Sequence, residues 1–167
     1  IGASGALGMA FCELLNQDPR CVGVRELGRA TVPGLDLEQP ETIASAAAEL
    51  AAEAPYRLIV HAAGLLHRGQ VKPEKSYSAI EPEALQAVFQ VNTLGPALVL
   101  RHFLPLLDPR GAMAMLSAKV GSIGDNRLGG WYAYRASKAA LNMLIKTAAI
   151  ELTRTRPQSR LLSLHPG

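Results

Sequence analysis

Short unbroken apolar runs alternate with Ala- and Leu-rich helical stretches along the whole chain, and this alternation limits the fold more than any other feature. The runs are Ile1, Cys21–Val24, a segment around Leu35, Arg57-Leu-Ile-Val-His61, Ala112-Met-Ala-Met-Leu-Ser117 and Leu161-Leu-Ser-Leu164. Between them, helices are expected to about Asn16, from Pro40 to Glu53, from Pro82 past Asn92 and, straight or kinked, past Pro96 to Pro105, and from Trp131 to Thr153. Strands that are apolar throughout, without polar alternation, are covered on both faces, which is the condition of a parallel sheet between helical layers. The order predicts an α/β protein: a doubly wound parallel sheet in three α/β/α layers, of the kind that binds nucleotides at the strand ends. Its 167 residues fit a single domain.

The bulk composition removes other classes. A formal net charge of +3 is mild, and no block of Lys and Arg interleaved with aromatics points to nucleic acid. No apolar run is long enough to span a bilayer. Cys12 and Cys21 have no metal-ligand spacing, so no metal is expected, and two cysteines suit a reducing, cytoplasmic location. The chain is expected to lack the start of its first strand and the segment after Pro166-Gly167.

Gly2-Ala-Ser-Gly5-Ala-Leu-Gly8 follows the first apolar residue and opens a helix. Glycines there let the backbone turn sharply and approach a pyrophosphate held at the helix N-terminus. Gly2, Ser4, Gly5, Ala6, Leu7 and Gly8 are therefore candidate cofactor ligands, although such a turn also serves as a plain strand–helix connection. Coenzyme choice should be made at the end of the second strand, where a carboxylate holds the 2′-hydroxyl of NAD and an arginine accommodates the 2′-phosphate of NADP. Arg25-Glu26 offers both, with Arg29 nearby; Arg25 favours NADP, with NAD the alternative. Asp36, beside Leu37, either accepts from an adenine amino group or caps the next helix.

Tyr134 and Lys138 lie four residues apart on the last long helix, which puts both side chains on one face. An ammonium beside a phenol favours the phenolate, lowering its pKa toward the range of a general acid/base.

Taken in order, these motifs resemble the short-chain dehydrogenase/reductase family over nearly the whole chain: the glycine turn, His61-Ala62-Ala63-Gly64, Asn92, a serine near 117, Tyr134/Lys138 and Pro166-Gly167. The stretch from Ser117 to Asn142 is similar to the branch containing sniffer-type carbonyl reductases and the signalling protein C-factor. The resemblance implies a Rossmann fold and reduction of a small carbonyl compound, or oxidation of the matching alcohol. Tyr134 would be the acid/base, Lys138 its modulator and a ribose ligand, and a serine the group that orients the carbonyl. Asn92 would hold a water that relays protons from Lys138. Ala62, Ala63, Gly64, Pro166 and Gly167 would contact the coenzyme.

Family members commonly place the serine at the position of Ala118, which here is flanked by Ser117 and Ser122; Ser117 is the first candidate. The resemblance also implies a homodimer or homotetramer. Two other activities stay open: a nucleotide-binding signalling protein of the same fold, and a sugar-nucleotide epimerase, whose branch shares the Gly-x-x-Gly-x-x-Gly spacing.

Overall fold

The structure, a computed structural model, describes residues 1–166. Three parallel strands form the central sheet in the order β1 (Tyr56–His61), β2 (Leu107–Leu116) and β3 (Arg160–Leu164). Ile1 extends it as a stub: its amine donates to the carbonyl of Val60 at 2.7 Å, and its carbonyl accepts from Ala62 at 2.8 Å. On the stub's other side, Gly2 and Ala3 donate to the carbonyl of Leu27.

Among the described residues, five α-helices surround the sheet: α1 (Ala6–Gln17), α2 (Pro40–Leu50), α3 (Pro82–Phe89), α4 (Gly95–Phe103) and α5 (Tyr132–Thr155). One buried cluster joins Ile43, Ala46 and Leu50 of α2, Val99 and Phe103 of α4, and Leu141 and Ile145 of α5 to Ile59, Met113 and Met115 of the sheet. Apart from the small Ala46, each of these side chains stabilises the fold by about 1.5–3 kcal/mol through removal from water. Alternation then turns Leu58 and Val60 of β1 to the opposite face, where they line a groove with Phe11, Cys12 and Leu15 of α1. Among the described residues, no helix is long and apolar enough to cross a membrane, and no cluster of side chains could hold a metal ion.

Several expected elements take another form. Cys21–Val24 and the residues around Leu35 belong to no strand, and Val22 is fully exposed. A strand needs a hydrogen-bonded neighbour, and the stub beside β1 reaches only from Ile1 to Ala3, where it is engaged by Leu27. The helical run starting at Pro82 does continue past Pro96 to Leu106, but it is not α-helical throughout. It opens into a π-turn over Gln90–Leu94 before α4 resumes. Pro96 lacks the N–H that would close an α-helical bond to residue 92, so the turn before it widens. The last helix starts at Tyr132, because Trp131 has a left-handed backbone with φ of 54°.

Candidate active site

Everything that matters chemically gathers at the carboxyl ends of the parallel strands, the location expected for ligands in an open α/β sheet. The glycine turn forms its floor. Gly2 has φ of +82°, and a β-carbon there would lie 2.7 Å from the backbone nitrogen of Ala63; one at Gly8 would lie 2.1 Å from the carbonyl oxygen of Gly2. Both positions therefore exclude any side chain. Gly5 is different, since its nearest neighbour would be 3.5 Å away. The spacing that suggested an epimerase thus rests on a glycine that the turn does not require. No side chain caps α1, which leaves the first N–H groups of the helix, at Ala6, Leu7 and the buried Gly8, as donors suited to an anion, although these three residues do not line the cleft above the turn.

A cleft of about 360 Å³ opens above this turn. Gly2, Ser4, Gly5, Asp36, Leu37, Ala62, Ala63 and Gly64 all line it, as the motifs implied. Asp36 does not cap α2; its carboxylate accepts from the backbone of Glu38 at 3.0 Å. Leu37 lends its carbonyl to Gln90 at 2.9 Å.

Arg25 does not reach the cleft. Its guanidinium pairs with Glu53 at 2.6 Å on the groove side of the molecule. The chain runs on past the expected strand end to Leu27 before it turns. Gly28 and Arg29, not Arg25, therefore stand at the cleft rim. Across the same rim Arg68 grips Glu38 with two hydrogen bonds, at 2.5 and 2.8 Å.

At the inner end of the cleft, a methyl group on Gly64 would sit 3.4 Å from Nζ of Lys138 and 3.5 Å from Oδ1 of Asn92. These two side chains, from α5 and the π-turn, are thus brought together. Lys138 is buried and donates to the carbonyl of Leu116 at 3.0 Å; burial pulls its pKa down from 10.5 to about 8. Its ammonium nitrogen is 5.8 Å from the centroid of the Tyr134 ring. The lowered phenol pKa expected from this pairing is not present: half-burial pushes Tyr134 up from its ordinary value. Desolvation wins because Lys138 is turned to a backbone carbonyl rather than to the phenol.

Asn92 is completely buried and largely committed. Oδ1 accepts from the N–H of Leu65 at 2.7 Å, while Nδ2 donates to the carbonyl of Leu65 at 2.8 Å and to Oγ of Ser137 at 3.1 Å. Its amide therefore pins the Leu65 backbone, leaving only one lone pair of Oδ1 for a water. Ser137, one residue before Lys138, was not singled out from the sequence, yet its hydroxyl also donates to the carbonyl of Tyr134 at 2.9 Å. A small polar residue three positions after the tyrosine, on the same face, was the available signal.

Ser117 follows β2 directly, and its buried hydroxyl has no partner among the described residues. Ser122 is exposed and accepts from the backbone of Asp125 at 3.3 Å. Pro166 is exposed just after β3, and Gly167 lies outside the described residues. Beside the site, His61 at the end of β1 is fully enclosed with neither ring nitrogen paired among the described residues, and burial drives its pKa to about 3.

The family model described as enoyl-(acyl carrier protein) reductase matches residues 13–163. A short-chain dehydrogenase/reductase of Burkholderia multivorans, solved with bound NADP, superposes over 99% of this chain and 76% of its own, with a TM-score of 0.86 and 26% identity. This chain belongs to the short-chain dehydrogenase/reductase family.

Among curated members, 1-hydroxy-2-glutathionyl-2-methyl-3-butene dehydrogenase of Rhodococcus sp. strain AD45 is 32% identical over 142 residues, which is 84% of this chain and 59% of that enzyme. The C-signal protein of Myxococcus xanthus is 42% identical over 83 residues, 47% of this chain and 48% of the relative. The chain therefore spans between about half and three-fifths of these two family members' length.

Proposed function

We propose that the chain carries the coenzyme site and catalytic residues of an NADP(H)-dependent reductase of small carbonyl compounds. The observation that carries this is the meeting of Lys138, Asn92 and Gly64 at the inner end of a cleft floored by a glycine turn that excludes side chains. The residues fit a dinucleotide: Gly2, Gly8 and the uncapped start of α1 suit the pyrophosphate, and Ala62 to Gly64 admit a ring close to the backbone. When bound, the reduced coenzyme supplies the hydride.

Tyr134 gives its phenolic proton to the carbonyl oxygen as the carbonyl carbon is reduced, so that the product is the alcohol. Lys138 binds the ribose beside it and, with a pKa of about 8, is placed to return a proton toward Tyr134 after the transfer. Ser117 offers the unpaired hydroxyl that holds the carbonyl oxygen. Asn92 fixes the loop at Leu65 and, through Ser137, the turn of α5 between Tyr134 and Lys138.

NADP is favoured over NAD by Arg29. It lines the cleft without an ion-pair partner among the described residues, whereas Arg25 and Arg68 are both committed. NAD is the alternative coenzyme, since Asp36 lines the same rim and could serve a ribose hydroxyl.

The deciding experiment follows NADPH absorbance with aldehydes, diketones and quinones. Turnover by the protein, lost in Tyr134→Phe while NADPH still binds, supports the assignment. Binding without turnover of any carbonyl would instead favour a signalling protein, to which the C-signal similarity points. Pairing into a homodimer or homotetramer fits the outward apolar residues Met143 and Ile150 of α5, and a cytoplasmic location fits the two free cysteines.

A further inference from the structure

Glu74, on the loop after β1, is the buried carboxylate that the proposed chemistry leaves unused. Only 5% of it is exposed. Its Oε2 accepts from the backbone N–H of Ala133 at 3.2 Å, and its main-chain carbonyl accepts from the N–H of Trp131 at 2.5 Å. Two of the four free N–H groups that open α5, or lie next to its start, are thus satisfied by one residue about sixty positions earlier. No side chain of the helix itself does so.

The backbone here is strained. Trp131 has φ of 54°, Gly129 and Gly130 also have positive φ, and a β-carbon on Gly130 would come within 3.3 Å of the carbonyl oxygen of Glu74. Non-glycine residues hold such a conformation only where the surroundings enforce it, and these cluster at functional sites. The indole of Trp131 stands edge-on to the ring of Tyr134, with centroids 6.2 Å apart. Glu74, Trp131 and Tyr134 therefore form one connected unit on the first turn of α5.

We propose that Glu74 is a positioning residue for Tyr134: by capping α5 from outside the helix it fixes the first turn, and with it the direction of the phenol. The role rests on Tyr134 being the acid/base. A carboxylate at a helix N-terminus also meets the favourable end of the helix dipole.

Three variants separate this from a general contribution to folding. Glu74→Ala removes the cap, Glu74→Gln keeps an acceptor oxygen of the same reach, and Gly130→Ala strains the positive-φ backbone and pushes against the carbonyl of Glu74 by a few tenths of an ångström while leaving the carboxylate in place. Trp131 is the sole tryptophan, so its emission reports on the clamp directly. Tyr134 ionisation is read as the absorbance difference between each protein and its Tyr134→Phe counterpart.

Glu74→Ala and Gly130→Ala are expected to shift the emission to the red and to lower the Tyr134 midpoint, because a frayed turn rehydrates the phenol. The turnover number with NADPH and a carbonyl should fall between about tenfold and a hundredfold, with KM for NADPH little changed. Glu74→Gln should rescue all three readouts. A wild-type midpoint and turnover in Glu74→Ala or in Gly130→Ala would overturn the proposal, as would a Glu74→Gln as impaired as Glu74→Ala. Should Glu74→Ala fail to fold, Gly130→Ala and Glu74→Gln decide by the same criteria. Should no carbonyl be turned over at all, the reductase assignment fails by itself, and the emission and the Tyr134 midpoint still decide the clamp.

Discussion

Nζ of Lys138 donates to the main-chain carbonyl of Leu116 at 3.0 Å, so the lysine of α5 is tied to the last residue of β2. This one bond joins the helix that carries Tyr134, the proposed acid/base, to the strand that leads into Ser117. It also leaves an ammonium group inside the protein with no carboxylate paired to it among the described residues.

That arrangement is destabilising at neutral pH. The folded pKa of Lys138, about 8, lies below the ordinary 10.5, so the unfolded chain binds more protons between those values and stability rises with pH through that window. Lys138→Met removes the charge. The stability of the wild type relative to this variant should therefore improve by roughly 2 kcal/mol between pH 7 and pH 10. Urea midpoints of the two proteins at both pH values check it; a constant difference would mean that the lysine is solvated.

The glycine turn separates a required from a permitted glycine. Gly8→Ala places a methyl 2.1 Å from the carbonyl oxygen of Gly2, which no rotation of a side chain relieves. Loss of NADPH binding, or of the fold, is expected. Gly5→Ala meets nothing nearer than 3.5 Å and should bind NADPH with near wild-type affinity, as measured by coenzyme fluorescence titration. Equal losses in both would show that the coenzyme itself occupies the space above Gly5.

Arg29→Ala should weaken NADPH binding by roughly tenfold to a hundredfold, the worth of a hydrogen-bonded charge on a phosphate, and leave NADH binding nearly unchanged. Arg25→Ala should alter neither coenzyme, because Arg25 is an exposed partner of Glu53. Paired titrations with NADPH and NADH read both variants. An Arg25→Ala defect confined to NADPH would return the phosphate site to that residue.

The arginine assignment shows where sequence reading stops. The strand–helix alternation from Pro40 onward and the cluster of Gly2, Gly64, Asn92 and Lys138 were legible, because apolar periodicity and fixed motif spacings survive in one dimension; Cys21–Val24 and the segment around Leu35 form no strand, since apolar content alone supplies no hydrogen-bonded neighbour. Arg25 was misplaced because the turn depends on where the extended segment ends, and bonds from Gly2 and Ala3 to Leu27 set that end. The phenol pKa of Tyr134 failed for a related reason: helical spacing brings two side chains to one face, but the carbonyl of Leu116 decides where the lysine points. Glu74 could not be found at all, since nothing in the run Lys72-Pro-Glu-Lys75 signals a cap for a helix that starts at Tyr132.

His61 supplies the last prediction. It is fully enclosed, both ring nitrogens lack partners among the described residues, and burial above all holds it neutral, with a pKa of about 3 against 6.5 in the unfolded chain. Its contribution to stability is complete above pH 6.5 and is lost as pH falls toward 3, because only the unfolded chain takes up the proton. The slope from this group alone is about 1.4 kcal/mol per pH unit below pH 6. His61→Leu, of similar bulk and with nothing to protonate, removes that slope and the unpaired nitrogens together. The variant should therefore match or exceed the wild type at pH 7 and outlast it increasingly toward pH 5 in thermal melts. Parallel pH curves for the two proteins would instead mean that the imidazole has a buried partner, such as an enclosed water that follows the proton.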